Sequence, residues 1–385
     1  MKKVFSFLLA FVFCFTLFAT VPVSAVGVNN AVDLELNAVS AVLMEAETGT
    51  ILYEQNADEQ LPPASITKIM TLLLVMEAID NGKIKLEDTV TASERAASMG
   101  GSQIYLKVGE QMAVNDLLKS VVIASANDAA AALAEHLCGS IEAFVEQMNA
   151  KAVALNMTNT KFENTNGLDD TTVNHYTSAR DVAIMSRELI SHSLILEYSS
   201  IWMDSIRDGA FGLTNTNRLV RFYPGATGLK TGSTSKAKFC ISATAMRDDM
   251  HLIAVIMGSP TRDIRNEEAK KLLDYGFANY GVYKEVGTDI GDLPVLGGVQ
   301  DMCRVRSNDV SILVDKAKLS GITRKVNLPE ELAAPIQKGE KIGTIAYYAE
   351  EEIIGECDIF ATENVEKISF WEIFFRMLKN CFCIG

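Results

Sequence analysis

Pro62-Pro63-Ala64-Ser65-Ile66-Thr67-Lys68-Ile69-Met70-Thr71 is a proline-stopped entry into a helix that carries a serine and a lysine three residues apart, and residues at that spacing share a helix face. Beyond it Ile69, Leu72, Leu73, Met76 and Ile79 fall on one stripe before Asn81-Gly82 ends the run, which predicts an amphipathic helix laid against a core. Ser65 is then expected in the first turn, among unpaired backbone N–H groups. A serine hydroxyl attacks well only when a base takes its proton, and a lysine serves as that base only when burial lowers its pKa. Lys68, flanked by Ile69 and Leu72, is a candidate for such a lysine. Taken alone, the same spacing also describes an N-cap serine beside a solvated lysine.

Working outward, Val39 to Met44 and Thr50 to Tyr53 are short apolar runs around Glu45-Ala46-Glu47-Thr48-Gly49, a hairpin signal. On the other side a polar excursion with Gly100, Gly101 and Gly109 precedes a helix that starts at Asn115-Asp116. Ser125-Ala126-Asn127 interrupts it, and a second helix, Asp128 to Leu137, is closed by Gly139. The tripeptide reads either as a capping turn or as a functional one, with Ser125 relaying a proton and Asn127 holding a substrate carbonyl or Lys68. Ser178 and Asp181 mark the entry of a helix expected to reach Ile190, and His175 is read as structural.

Gly225-Ala226-Thr227-Gly228-Leu229-Lys230-Thr231-Gly232-Ser233-Thr234 is followed by strand-like runs, Phe239 to Met246 and Leu252 to Met257, joined by Arg247-Asp248-Asp249. A lysine, a hydroxyl and a glycine leading into an antiparallel edge supply a charge, a donor and a bare backbone for a substrate to lie against. The bland reading is a glycine-rich turn with a solvated lysine.

Composition sets the limits. A chain of 385 residues, 48% hydrophobic, has material for two or three domains. Its charge of −14, without a basic stripe, argues against nucleic acid. His136, His175, His192 and His251 have no metal-ligand spacing, and no metal or cofactor is expected. Lys2-Lys3, an apolar run to about Thr20, and Val23-Ser24-Ala25 describe an export signal over residues 1–25. Six cysteines remain after it, too few for a disulfide scaffold at this length; Cys138 and Cys240 are read as core residues, and a pairing of Cys303 with Cys357 is left open.

S-x-x-K at 65–68, S-x-N at 125–127 and K-T-G at 230–232 occur in that order, the signature shared by class A β-lactamases and penicillin-binding proteins. The chain resembles the low-molecular-mass penicillin-binding proteins that act as serine-type D-alanyl-D-alanine carboxypeptidases. The likeness extends to Gly228-Leu229-Lys230-Thr231-Gly232, to Phe162-x-Asn164-x-x-Gly167-Leu168 and to His175-Tyr176-Thr177-Ser178-Ala179-Arg180-Asp181. Lys238 departs from it, since many members have glycine there. The resemblance implies an α/β (α+β) catalytic domain of the serine β-lactamase/transpeptidase type, with helices on a mainly antiparallel sheet. It implies Ser65 as acylated nucleophile, Lys68 as its base and Ser125 as proton relay. It further implies a substrate-binding set of Asn127, Lys230, Thr231, Gly232, Ser233 and Arg265, with an oxyanion hole from the N–H groups of Ser65 and Ser233. The substrate implied is a peptidoglycan stem peptide, and β-lactams would be inhibitors. A serine β-lactamase and a wall-binding protein without turnover are the rivals, although no glutamate-centred loop of the class A kind is evident.

The catalytic domain is expected over residues 26–282, with a helix from Glu267 to about Tyr280. Strand-like runs separated by turns predict a small all-β domain over 283–360. In the tail, residues 361–385, Ser369, Glu372, Arg376, Lys379 and Asn380 fall on one side of a helix and Phe370, Trp371, Phe374, Phe375, Leu378 and Phe382 cover the rest. That pattern suits a helix lying on a membrane surface, here the outer face of the cytoplasmic membrane.

Overall fold

A computed structural model describes residues 32–170 and 172–382; the export signal expected over residues 1–25 lies outside them. The first apolar runs form an antiparallel hairpin of β1 (Ser40–Glu45) and β2 (Ile51–Gln55). A 3-10 turn, Ala64–Thr67, carries Ser65, and α1 (Lys68–Asp80) follows it. Ser65 thus precedes the α-helix, in a 3-10 turn that opens at Ala64, itself at φ +48°. The single apolar stripe expected for α1 is also corrected: Met70, Leu74 and Val75 are buried as well, since α1 runs through the middle of the domain, packed by helices and sheet.

Strands β3 (Thr89–Thr91) and β4 (Gln111–Ala113) pair across the polar excursion that contains α2 (Glu94–Ala97). Then come α3 (Val114–Ile123), α4 (Asn127–Cys138), α5 (Ile141–Ala154), α6 (Ala179–Ser191) and α7 (Ser193–Ser199). The boundaries follow from side chains: Ser140 Oγ accepts from Ala143 N, Ser178 Oγ accepts from Asp181 N, and Gly139 at φ +80° closes α4. A small hairpin of β5 (Met203–Ile206) and β6 (Phe211–Thr214) and the short α8 (Leu219–Phe222) lead to β7 (Ala226–Thr234), β8 (Lys238–Arg247) and β9 (Met250–Ser259). The sheet order is β2-β1-β9-β8-β7, antiparallel throughout, which leaves the Lys230 strand at an edge.

The sheet is covered on both faces, and strict alternation sorts its side chains. Val42, Ile253 and Val255 join Ile69, Leu72, Leu73 and Met76 in the larger core. Leu43, Leu252, Ala254 and Ile256 join Leu272, Leu273 and Phe277 of α9 (Arg262–Asn279) in the other. Each such Leu, Ile or Val contributes about 1.5–3 kcal/mol by leaving water. Helix α9 starts at Arg262, five residues before the expected Glu267, because Thr261 Oγ1 caps it by accepting from Ile264 N.

Strand β10 (Tyr280–Glu285) follows at once and pairs with β13 (Val310–Asp315). The rest of the C-terminal part comprises β11 (Asp289–Leu296), β12 (Met302–Ser307), β14 (Ile322–Asn327), β15 (Leu332–Ala333), β16 (Lys341–Ala349) and β17 (Glu352–Ala361), in the order β14-β16-β17-β12-β11-β15. Cys303 and Cys357 are free thiols in two separate small cores, which closes the question of their pairing. Helix α10 (Phe370–Phe382) ends the described chain, with Phe370, Trp371, Phe374, Phe375 and Met377 exposed. Among the described residues no helix is long and apolar enough to cross a membrane.

Candidate active site

The 3-10 turn holding Ser65, the turn between α3 and α4, and strand β7 converge on one cleft. Strand and turn approach so closely that a Cβ on Gly232 would lie 2.9 Å from Pro63 O and 3.0 Å from the backbone N of Ser65. Only glycine fits there.

Lys68, fully buried in the first turn of α1, donates to Ser65 Oγ at 2.9 Å and to Asn166 O at 2.9 Å. Burial pushes its ammonium well below the ordinary lysine range, and the charge of Lys230 adds to this while Asp128 opposes it. A lysine in that condition gives up its proton more readily than an exposed one.

On the facing wall Ser125 adopts φ +62°, a left-handed conformation that turns its hydroxyl into the cleft between α3 and α4. Lys230 Nζ donates to Ser125 Oγ at 2.8 Å and to Thr231 O at 2.9 Å. Burial, with the nearby charge of Arg265, brings Lys230 down to about 7. The Ser125 turn is anchored from behind. Asn127 N donates to Ser102 O at 2.7 Å, and the buried Asp128 carboxylate accepts from Ile104 N and Leu106 N.

Of the two partners expected for Asn127, Lys68 is not the one it bonds. Its Nδ2 donates to Gly100 O at 2.6 Å, and Lys68 bonds Ser65 and Asn166 instead. A second Nδ2–H remains for a carbonyl, and Oδ1, buried without a hydrogen-bond partner, is an acceptor that a substrate N–H would satisfy. Thr231 Oγ1 donates to Thr216 Oγ1 at 2.8 Å, a rotatable hydroxyl pair at the end of the β6–α8 connection. Ser233 is exposed, next to Gly232 at the cleft edge. Arg265 is buried on α9, where its guanidinium donates to Asn266 Oδ1 and Cys240 O; it acts on the cleft through the charge felt by Lys230. Arg262, three residues earlier, is exposed. Among the described residues no group of three or more His, Cys, Asp or Glu is placed to hold a metal ion.

With that geometry in place, residues 26–261 match the family of D-alanyl-D-alanine carboxypeptidases, peptidase family S11. The chain belongs to that family. Residues 282–367 match the penicillin-binding protein 5 C-terminal domain. The chain is 43% identical over 346 residues to the D-alanyl-D-alanine carboxypeptidase DacF of Bacillus subtilis, covering 88% of each chain. Against DacC of Escherichia coli it is 35% identical, over 87% of this chain and 86% of the relative. Its fold is similar to penicillin-binding protein 5 from Haemophilus influenzae (TM-score 0.77, 33% identity, 88% of this chain and 100% of that one). The ampicillin-bound penicillin-binding protein D2 of Listeria monocytogenes matches with TM-score 0.59 and 33% identity, over 64% of this chain and all of that one.

Within this family member, sequence reasoning missed the acceptor that orients Lys68. Asn166 O is presented by a loop in which Asn164 Oδ1 accepts from Asn166 N and Gly167 N, while Asn164 Nδ2 donates to Leu168 O. The spacing Asn164-x-x-Gly167 is an Asx-turn signal. It announces a shaped loop, but not that a lysine 98 residues earlier would use it.

Proposed function

We propose that this carboxypeptidase removes the terminal D-alanine from peptidoglycan stem pentapeptides through an acyl-enzyme on Ser65. The observation that carries the reading is the 2.9 Å contact between Ser65 Oγ and a fully buried lysine. Lys68 takes the hydroxyl proton as Oγ attacks the carbonyl carbon between the last two D-alanines. The oxyanion settles against the N–H groups of Ser65 and Ser233. The C–N bond then breaks, Ser125 passes a proton to the leaving amine, and Lys230 restores the Ser125 proton across 2.8 Å. The proton that Lys68 took from Ser65 passes on to restore Lys230, so Lys68 is neutral again; it takes a proton from the water that attacks the ester and returns it to Ser65 Oγ as the acyl C–O bond breaks. Asn127 Oδ1 accepts a stem-peptide N–H, Thr231 turns its hydroxyl to the terminal carboxylate, and Arg265 supplies positive charge from behind the strand. β-Lactams acylate the same serine, in keeping with the ampicillin-bound relative.

D-alanine release from a pentapeptide, measured beside the Ser65→Ala variant, tests this. Release is expected in the parent and absent in the variant, and undiminished release by the variant would remove Ser65 as nucleophile.

The exposed aromatic residues of α10 support placing its apolar side in a membrane interface. The chain is then exported and held on the outer face of the cytoplasmic membrane, with domains over 26–282 and 283–360 ahead of the tail. Removing residues after Val365 is expected to move the protein from the membrane pellet to the supernatant; a truncated form that still pellets rejects the anchor.

A further inference from the structure

His175 lies outside the cleft motifs, yet it is buried directly behind the nucleophile turn. Its Nδ1 is 2.9 Å from the backbone N of Glu163, which can only donate, so Nδ1 accepts and carries no proton. The ring proton is therefore on Nε2, 2.8 Å from Thr67 Oγ1. Thr67 accepts that bond and donates its own proton to Ala64 O at 2.8 Å. Every direction in the chain His175 to Thr67 to Ala64 is fixed by the donors available. Burial keeps the imidazole neutral, holding it down at about 4 against the opposing charges of Glu163 and Asp169.

The chain ends at a strained residue. Ala64, at φ +48°, is left-handed without being glycine and immediately precedes Ser65, a conformation that persists only where its surroundings impose it. The imidazole also holds the start of the loop that feeds Lys68: Glu163 is its backbone partner, and Asn166 O accepts from Lys68. That loop presses on the same carbonyl, since a Cβ on Gly167 would lie 1.7 Å from Ala64 O. One ring thus ties the turn that aims the nucleophile to the loop that orients the base.

We propose that His175, acting through Thr67, is a positioning residue for acylation: the strap holds Ala64 in its left-handed conformation and so aims Ser65 Oγ at Lys68. This rests on the reading of Ser65 and Lys68 as nucleophile and base. A ring that merely filled space would serve equally well as phenylalanine, and the strap would not.

The test is acylation by benzylpenicillin, resolved into the dissociation constant of the pre-covalent complex and the acylation rate constant. His175→Phe and Thr67→Val are expected to slow acylation about 10- to 100-fold, as misaimed reacting groups do, with pre-covalent binding within about threefold of the parent. His175→Gln, which carries a donor and an acceptor on one amide, and Thr67→Ser, which keeps the hydroxyl, are expected to recover most of that loss. Thr67→Val is nearly isosteric and decides alone if His175→Phe does not fold. Acylation within about twofold of the parent in the disruptive variants would overturn the strap. So would equal losses in binding and acylation, or Gln and Ser variants as slow as Phe and Val. Ser65→Ala runs alongside: covalent labelling that survives it defeats the nucleophile reading itself, whereas labelling lost there with His175→Phe and Thr67→Val at parental rates defeats only the strap.

Discussion

The cleft contains two serine–lysine pairs of nearly the same length, Ser65 with Lys68 at 2.9 Å and Ser125 with Lys230 at 2.8 Å. Both lysines are buried, and each pair adjoins a left-handed residue, Ala64 in one and Ser125 itself in the other. The surroundings separate them. Lys68 has the loop carbonyl of Asn166 as second acceptor and is pushed well below the lysine range by burial and by Lys230. Lys230 has its own strand's carbonyl and the charge of Arg265, and is brought down to about 7. Ser65 is half-buried at the cleft, whereas Ser125 is buried. Two titratable groups whose environments set their pKa values apart are the usual basis for an acid–base division of labour. In the proposed mechanism the same residue pair serves as nucleophile and base on one wall, and as acid and charge on the other.

Removing one member of each pair breaks that symmetry. Lys68→Ala is expected to lower β-lactam acylation by about 10³-fold or more, because it removes the amine that bonds Ser65 Oγ. Ser125→Ala is expected to cost less, about 10- to 100-fold, since it interrupts a proton relay but leaves the nucleophile armed. Equal losses in single-turnover acylation would mean that the two pairs are not divided in this way.

A pH profile sharpens the comparison. Lys68 must be neutral, so kcat/KM rises as pH climbs through its lowered pKa. Lys230 must be charged, so kcat/KM falls above about 7. The two lysines interact, and the limbs belong to the pair; the proton of Lys230 is the one lost along the alkaline limb. Lys230→Arg fixes the charge and is expected to move the alkaline limb upward even where overall activity is lower. A limb that stays in place would assign the falling arm to a different group.

The sequence made the two pairs legible to different degrees. Strands and helix ends were readable because short apolar runs between turn residues, Ser178 and Gly139 act locally, whereas α5 and its Ser140 cap went unread. The three motifs were readable because each packs its chemistry into three or four residues. What brings them together was not: Asn166 O meets Lys68 from 98 residues away, Thr216 meets Thr231 from a loop with no motif, and Asp128 anchors Ile104 and Leu106 through backbone N–H groups. A backbone donor or acceptor has no residue identity to read. Helix α1 was misjudged for a related reason, since one apolar stripe was visible in the sequence but not the packing on its remaining sides.

The smallest effect concerns a position outside both pairs. Lys238, found where many family members have glycine, opens β8 at φ +56°. The left-handed conformation explains the family's glycine, because a Cβ there costs about 1 kcal/mol that glycine avoids. Lys238→Gly also gives the unfolded chain more freedom to lose, by about 0.5–1 kcal/mol. The two terms oppose each other, so the net gain in stability is expected to be below about 1 kcal/mol, with both serine–lysine pairs and their acylation rates untouched. Thermal unfolding of the two proteins measures it. A loss of more than about 1 kcal/mol would mean that the Lys238 side chain contributes more than its backbone strain removes.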